Sequence, residues 1–178
     1  MSETTLKLTR GLCIAAFVAA VVPIAGQGPE PSISLTVIRD PPTVKAGSPT
    51  IWIEVALTNI TKSVINVPQL EPAGVYIRLD VRDSTGEPVG KTRFYREVTG
   101  DRTGKDAPAS ADPGVFDTLG RAAPPGPLQP GASAKHPFNL AWLFDLTQPG
   151  KYAIQAQEAD PVSGAIVKSK VFTLTVQR

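Results

Sequence analysis

The sequence predicts an all-β protein, an antiparallel sandwich of seven to eight strands with one long irregular insertion. Three observations carry this expectation. Apolar residues recur at every second position in several short segments, the spacing that places them on one face of a strand. Prolines are dense: 17 of the 18 lie beyond residue 27, and proline lacks a backbone donor and breaks helices. Gly-, Pro-, Asn- and Asp-rich turn signals separate the segments at short intervals, as strands folded back on one another require.

The first 27 residues are expected to be a secretory signal peptide rather than part of the fold. Lys7 and Arg10 precede an apolar run from Leu12 to Ala25 that Pro23 interrupts. That run is shorter than the ~20 residues needed to span a bilayer, so no stable membrane insertion is expected once the leader is removed. Export, to the periplasm or the medium, is the localisation implied. Residues 28–178 then form a single domain. Loss of Lys7, Arg10 and Glu3 leaves 16 basic and 15 acidic residues, a net charge of +1. Such a balance argues against nucleic acid as a partner. Cys13 goes with the leader and His136 is the only histidine, which excludes disulfides, thiolate chemistry and His-rich zinc sites.

The strands follow in order. Ile33, Leu35 and Val37 alternate with polar residues until Asp40-Pro41-Pro42. Val44–Gly47 reads as a short edge piece and turn. Thr50–Asn59 is the clearest strand, with Ile51, Ile53, Val55 and Leu57 on one face and Trp52, Glu54, Ala56 and Thr58 on the other. A short apolar run covers Val64–Val67. Val75–Asp83 repeats the alternation, with Tyr76, Arg78 and Asp80 on the outward parity. Asp83–Gly86 turns the chain into an expected hairpin strand at Phe94–Val98. Residues 99–127 hold five prolines and five glycines and are expected to form a long loop. Strands at Ala132–Leu140, Tyr152–Glu158 and Val167–Gln177 complete the count, with a compact apolar corner at Ala141–Leu146 whose Trp142 and Phe144 plug the end of the core.

The segment Leu146-Thr147-Gln148-Pro149-Gly150-Lys151-Tyr152 resembles the E–F corner of immunoglobulin-like domains. The resemblance implies that the Tyr152 hydroxyl bonds back to upstream backbone, and that the fold is an immunoglobulin-like β-sandwich without the usual cysteine pair. The strand ending in Asn59, the hairpin Asp83–Val89, the turn Leu128–Gly131 and the corner Pro149–Tyr152 together resemble small exported bacterial domains of this kind. The BsuPI-type proteinase inhibitor group is one of them.

Motifs for catalysis are missing. The chain has no G-x-S-x-G and no S-x-x-K. Ser133 and His136 lie on opposite parities of one strand, and His136 shares parity with Ala134 and Phe138, as a core histidine would. Asp101, Asp106, Asp112 and Asp117 lack the calcium-loop pattern. No cofactor is expected. Asn59-Ile60-Thr61 matches the glycosylation acceptor pattern but is read first as a turn.

These readings favour a non-enzymatic binding or interaction module with a protein or glycan partner. Its candidate surface is Trp52, Glu54, Tyr76 and Arg78, because an exposed aromatic can stack on a sugar or anchor a peptide. Two alternatives stand beside it. One is a proteinase inhibitor that presents residues 99–127 with Arg102, Lys105 or Arg121 entering the protease cleft. The other is a carbohydrate-active enzyme using two carboxylates.

Overall fold

The computed structural model describes residues 30–69, 77–101, 104–108 and 123–178. The expected leader, Val75, Tyr76, Arg102, Arg121, Asp112 and Asp117 lie outside them. The protein is all-β, with mostly antiparallel sheets.

The first sheet has the order β1 (Ile33–Ile38), β3 (Trp52–Asn59), β7 (Ser133–Asn139), all antiparallel. The second runs β2 (Thr43–Lys45), β10 (Phe172–Gln177), β8 (Gly150–Ala159), β5 (Arg78–Arg82). Alternation holds along most of the strands, although Ala56, expected on the outward face of β3, is buried as well. Ile33, Leu35 and Val37 of β1 and Ile53, Val55 and Leu57 of β3 point inward. So do Leu79 and Val81, Tyr152, Ile154 and Ala156, and Leu174 and Val176 from the second sheet, and all of them join one apolar cluster. Each fully buried aliphatic side chain contributes about 1.5–3 kcal/mol, which lets the core form without a covalent staple.

The first strand segment divides between the sheets. β1 pairs with β3, but after Asp40-Pro41-Pro42 the chain crosses over and β2 runs parallel to β10, Val44 beside Val176. Proline cannot donate to a ladder, so the crossing falls where pairing stops anyway. The Pro42 carbonyl still accepts from Thr175 N–H at 2.8 Å. The Asp40–Pro41 peptide bond is cis.

The last strand is interrupted rather than continuous. β9 (Ile166–Lys168) and β10 both pair with β8, and the register shifts between them. Ser169 sits in the shift. Its N–H donates to Ala156 O at 2.9 Å, and its Oγ accepts Ala156 N–H at 3.0 Å where a carbonyl would normally do so. A hydroxyl thus completes the ladder across the bulge.

Asp160, at the turn between β8 and β9, ties that turn to the start of β1. Its carboxylate accepts from Ser32 N–H, Ser32 Oγ, Ile33 N–H, Val162 N–H and Ser163 N–H. It is 2% exposed.

Two expectations are corrected. Phe94–Val98 is not a hairpin strand but part of a helix, α1 (Arg93–Thr99). The five residues satisfy both a period of two and the i, i+4 spacing of a helix turn, so the pattern alone cannot separate them. Local chemistry does. Thr92 Oγ1 accepts from Tyr95 N–H at 3.2 Å as an N-cap, and Gly100 takes a left-handed C-cap with φ 69°. The limb leaving the Asp83 turn meets β5 through an isolated bridge, Arg82 to Pro88, and the bond Val89 N–H to Val81 O, and then bridges Lys91 to Phe144 before it enters this helix. The second correction concerns residues 99–127. Their C-terminal end is β6 (Ala123–Leu128), which pairs antiparallel with β4 (Ile65–Gln69) in a separate ribbon. Near their start, Ala107 N–H donates to Lys91 O at 2.9 Å, so the chain lies against the entry to α1. The apolar corner forms a single helical turn, α2 (Leu140–Leu143), capped by Asn139.

Candidate functional site

Trp52 and Glu54 stand on the outer face of β3, as their parity requires. Trp52 keeps 46% of its surface exposed. Its carbonyl accepts from the Arg39 guanidinium, and its ring meets Trp142 of α2 edge-on, with centroids 5.7 Å apart at 66°. Phe94 of α1 also meets Trp142 edge-on, with centroids 6.1 Å apart at 87°. Of the two aromatics expected to plug the core, only Phe144 does so, at 1% exposure; Trp142 is half-buried within this aromatic row. Beside the row, Glu54 pairs with Lys135 at 3.0 Å, and Ile38 lies exposed across from Glu54 on β1. The outer face therefore joins three ring systems to a solvated ion pair. Sequence reasoning found Trp52 alone. The signal for its neighbours was tertiary, because α1 and α2 had to meet before Phe94 and Trp142 could line up.

Arg78 lies on β5, in the other sheet, so it does not share a face with Trp52 and Glu54. Lys105 is exposed, but its carbonyl accepts from Arg96 Nη2 at 2.6 Å, and Arg96 also pairs with Asp106 at 3.1 Å. A protease attacking after Lys105 would have to break that bond first.

His136 is 6% exposed beside Val55, its Nε2 has no hydrogen-bond partner among the described residues, and burial lowers its pKa. Ser133 points away and bonds Thr58 Oγ1 at 2.7 Å. Glu158 is buried on the inner face of β8. Burial raises its pKa, the Ala159 N–H and the field of Arg78 oppose that, and the result is about 7. Among the described residues, no three His, Cys, Asp or Glu side chains group as metal ligands. Of the four acids in the 99–127 segment, Asp101 pairs with Lys91 at 2.7 Å and Asp106 with Arg96. The Asn59 amide is fully buried, and its Nδ2 donates to Ser63 O and Leu128 O, so the acceptor nitrogen of the glycosylation pattern serves the turn.

A cavity of about 360 Å3 opens between the edges of the two sheets, under α1. Ile77, Leu79, Phe138 and Leu143 form its apolar lining, and Arg78, Lys91, Tyr95 and Asp101 border it. The Lys91 ammonium lies 4.7 Å over the Tyr95 ring.

No protein-family model and no curated protein matches this chain. Its function has to be read from these surfaces. Among the described residues no helix is long and apolar enough to cross a membrane. The Tyr152 hydroxyl donates to Gln148 O at 2.7 Å, bracing the entry to β8.

Proposed function

We propose that the chain is an exported, non-enzymatic binding module with an immunoglobulin-like sandwich, and that it takes a protein or glycan partner on the outer face around Trp52. The observation that carries this reading is the exposed Trp52 ring held edge-on against Trp142. A large aromatic fixed by a neighbour loses little conformational freedom on binding and offers a broad apolar face, which is why such residues dominate interface energetics. The Glu54–Lys135 pair alongside supplies hydrogen-bonding groups for a partner's polar rim. The Tyr152 corner and the division of the first strand between two sheets support the immunoglobulin-like comparison.

The test is a pull-down with the full chain from an envelope extract, in parallel with Trp52→Ala. The reading expects a saturable partner whose recovery falls at least tenfold with Trp52→Ala while the urea midpoint stays unchanged, because the ring is at the surface. Equal recovery with both proteins would overturn it, as would turnover of a peptide or glycan substrate.

A further inference from the structure

The outward side chains of β1, β3 and β7 share one face, and strand register fixes their order. Trp52 stands at one end. Two residues along β3, about 6.7 Å away, Glu54 lies between Ile38 of β1 and Pro137 of β7. Next comes Ala56, which carries only a methyl, between Thr36 and Lys135. The face ends on hydroxyls, with Thr58 Oγ1 2.7 Å from Ser133 Oγ. From Trp52 to Thr58 it runs about 20 Å, the scale of a few sugar units.

The large apolar surface is confined to the Trp52 end, where Trp52 is 46% and Ile38 43% exposed. A stable protein interface covers ~800 Å2 on each partner around an apolar, desolvated centre. Beyond Trp52 and Ile38 this face offers hydroxyls and one ion pair instead. The two charges of its outward set, Glu54 and Lys135, answer each other at 3.0 Å. Arg39, half-buried at the border, donates to the Trp52 carbonyl.

We propose that this face binds a neutral glycan of equatorially substituted pyranose units, with one sugar stacked on Trp52 and the chain running along β3 toward Thr58. The inference rests on the reading of the Trp52 face as the binding surface and narrows its partner to a sugar. An equatorially substituted pyranose turns only C–H bonds toward an aromatic ring, whose electron-rich face attracts them. Its hydroxyls lie at the rim of the sugar, where Glu54 accepts and Lys135 donates. An axial hydroxyl would press a polar group against the indole. A chain of uronates gains nothing from a lysine that already has its carboxylate.

The experiment is isothermal titration calorimetry of the full chain with cellohexaose, chitohexaose and the hexamer of β-1,4-glucuronate, at ~50 and ~500 mM NaCl. It is repeated on Trp52→Phe, Trp52→Ala and Lys135→Ala. Trp52 and Lys135 are exposed, and an unchanged urea midpoint checks that each variant folds as the parent does. At least one neutral hexamer should bind saturably, with the same affinity at both salt concentrations, and the glucuronate hexamer more weakly. Trp52→Phe, which keeps a stacking ring, should retain most of the affinity. Trp52→Ala should lose at least tenfold, and Lys135→Ala a smaller factor. Silence of both neutral hexamers overturns the proposal, as does a salt-sensitive preference for glucuronate or a Trp52→Ala variant that binds like the parent. If both neutral hexamers are silent while a protein is recovered from the envelope extract in a Trp52-dependent way, the glycan fails and the Trp52 surface stands. Recovery that Trp52→Ala leaves unchanged overturns both.

Discussion

Removing the Asp160 carboxylate should unfasten β1 from the β8–β9 turn, and the size of the effect follows from its partners. Burial alone would raise this carboxyl. The N–H groups of Ser163 and Ser32, the Ser32 hydroxyl and Val162 N–H outweigh burial and hold the pKa at about 2, against 3.8 for an ordinary aspartate. A shift of that size corresponds to about 2.4 kcal/mol at ~1.36 kcal/mol per unit. The turn lies near solvent, and screening reduces this to ~1–2 kcal/mol. Asp160→Asn mimics the protonated acid and should lose that amount at pH 7. Asp160→Ala should lose more, ~2–4 kcal/mol, because the N–H groups of Ser32 and Ile33 would then be buried without acceptors. The folded pKa lies below the unfolded one. The carboxylate therefore contributes fully above pH ~4 and loses its contribution as pH falls through ~2. Urea unfolding followed by tryptophan fluorescence, at steps from pH 7 to 2, measures this. The gap between wild type and Asp160→Asn should close across that range. A gap that stays constant with pH would refute the reasoning, because it would mean that shape and not charge fastens the strand.

Three further outcomes are expected. Glu158 behaves oppositely to Asp160: its folded pKa of about 7 lies above the ordinary 4.5, so stability should fall as pH rises between those values. Glu158→Gln should flatten that slope, read from urea midpoints at pH 5 and 8; an unchanged slope would assign it elsewhere. Tyr152→Phe removes the hydroxyl bond to Gln148 O and should cost about 0.5–1.5 kcal/mol with no change in fold, measured by thermal unfolding with circular dichroism. Gly90→Ala places a methyl 2.7 Å from the Ala107 Cβ, so the 104–108 stretch must move. Stability should drop by ~1–3 kcal/mol, and limited proteolysis should cut near Lys105 faster; an unaltered cleavage rate would contradict this contact.

The strands were legible because period two is a local property. Ile53, Val55 and Leu57, or Tyr152, Ile154 and Ala156, announce an inward face whatever lies opposite. Tyr152 was legible for the same reason, since its hydroxyl reaches a carbonyl only four residues back. Parity also placed His136 inside and Trp52 outside. It could not choose between strand and helix for Phe94–Val98, where a short window fits both periods and the Thr92 cap and Gly100 settle the matter. Nor could it pair β4 with β6 across the residues that separate them, because that choice depends on which edges remain open after the two sheets close.

Tertiary structure alone decided which side chains meet on the candidate surfaces. Trp52, Trp142 and Phe94 come from three elements, and the cleft lining comes from both sheets and α1. Two neighbouring acids, Glu158 and Asp160, differ by about five pKa units although both are buried. The sequence determines where an acid stands along its strand. Only the fold determines whether an apolar interior surrounds it or further donors join the local N–H groups of Val162 and Ser163, because three of the five donors arrive from Ser32 and Ile33 at the far end of the chain.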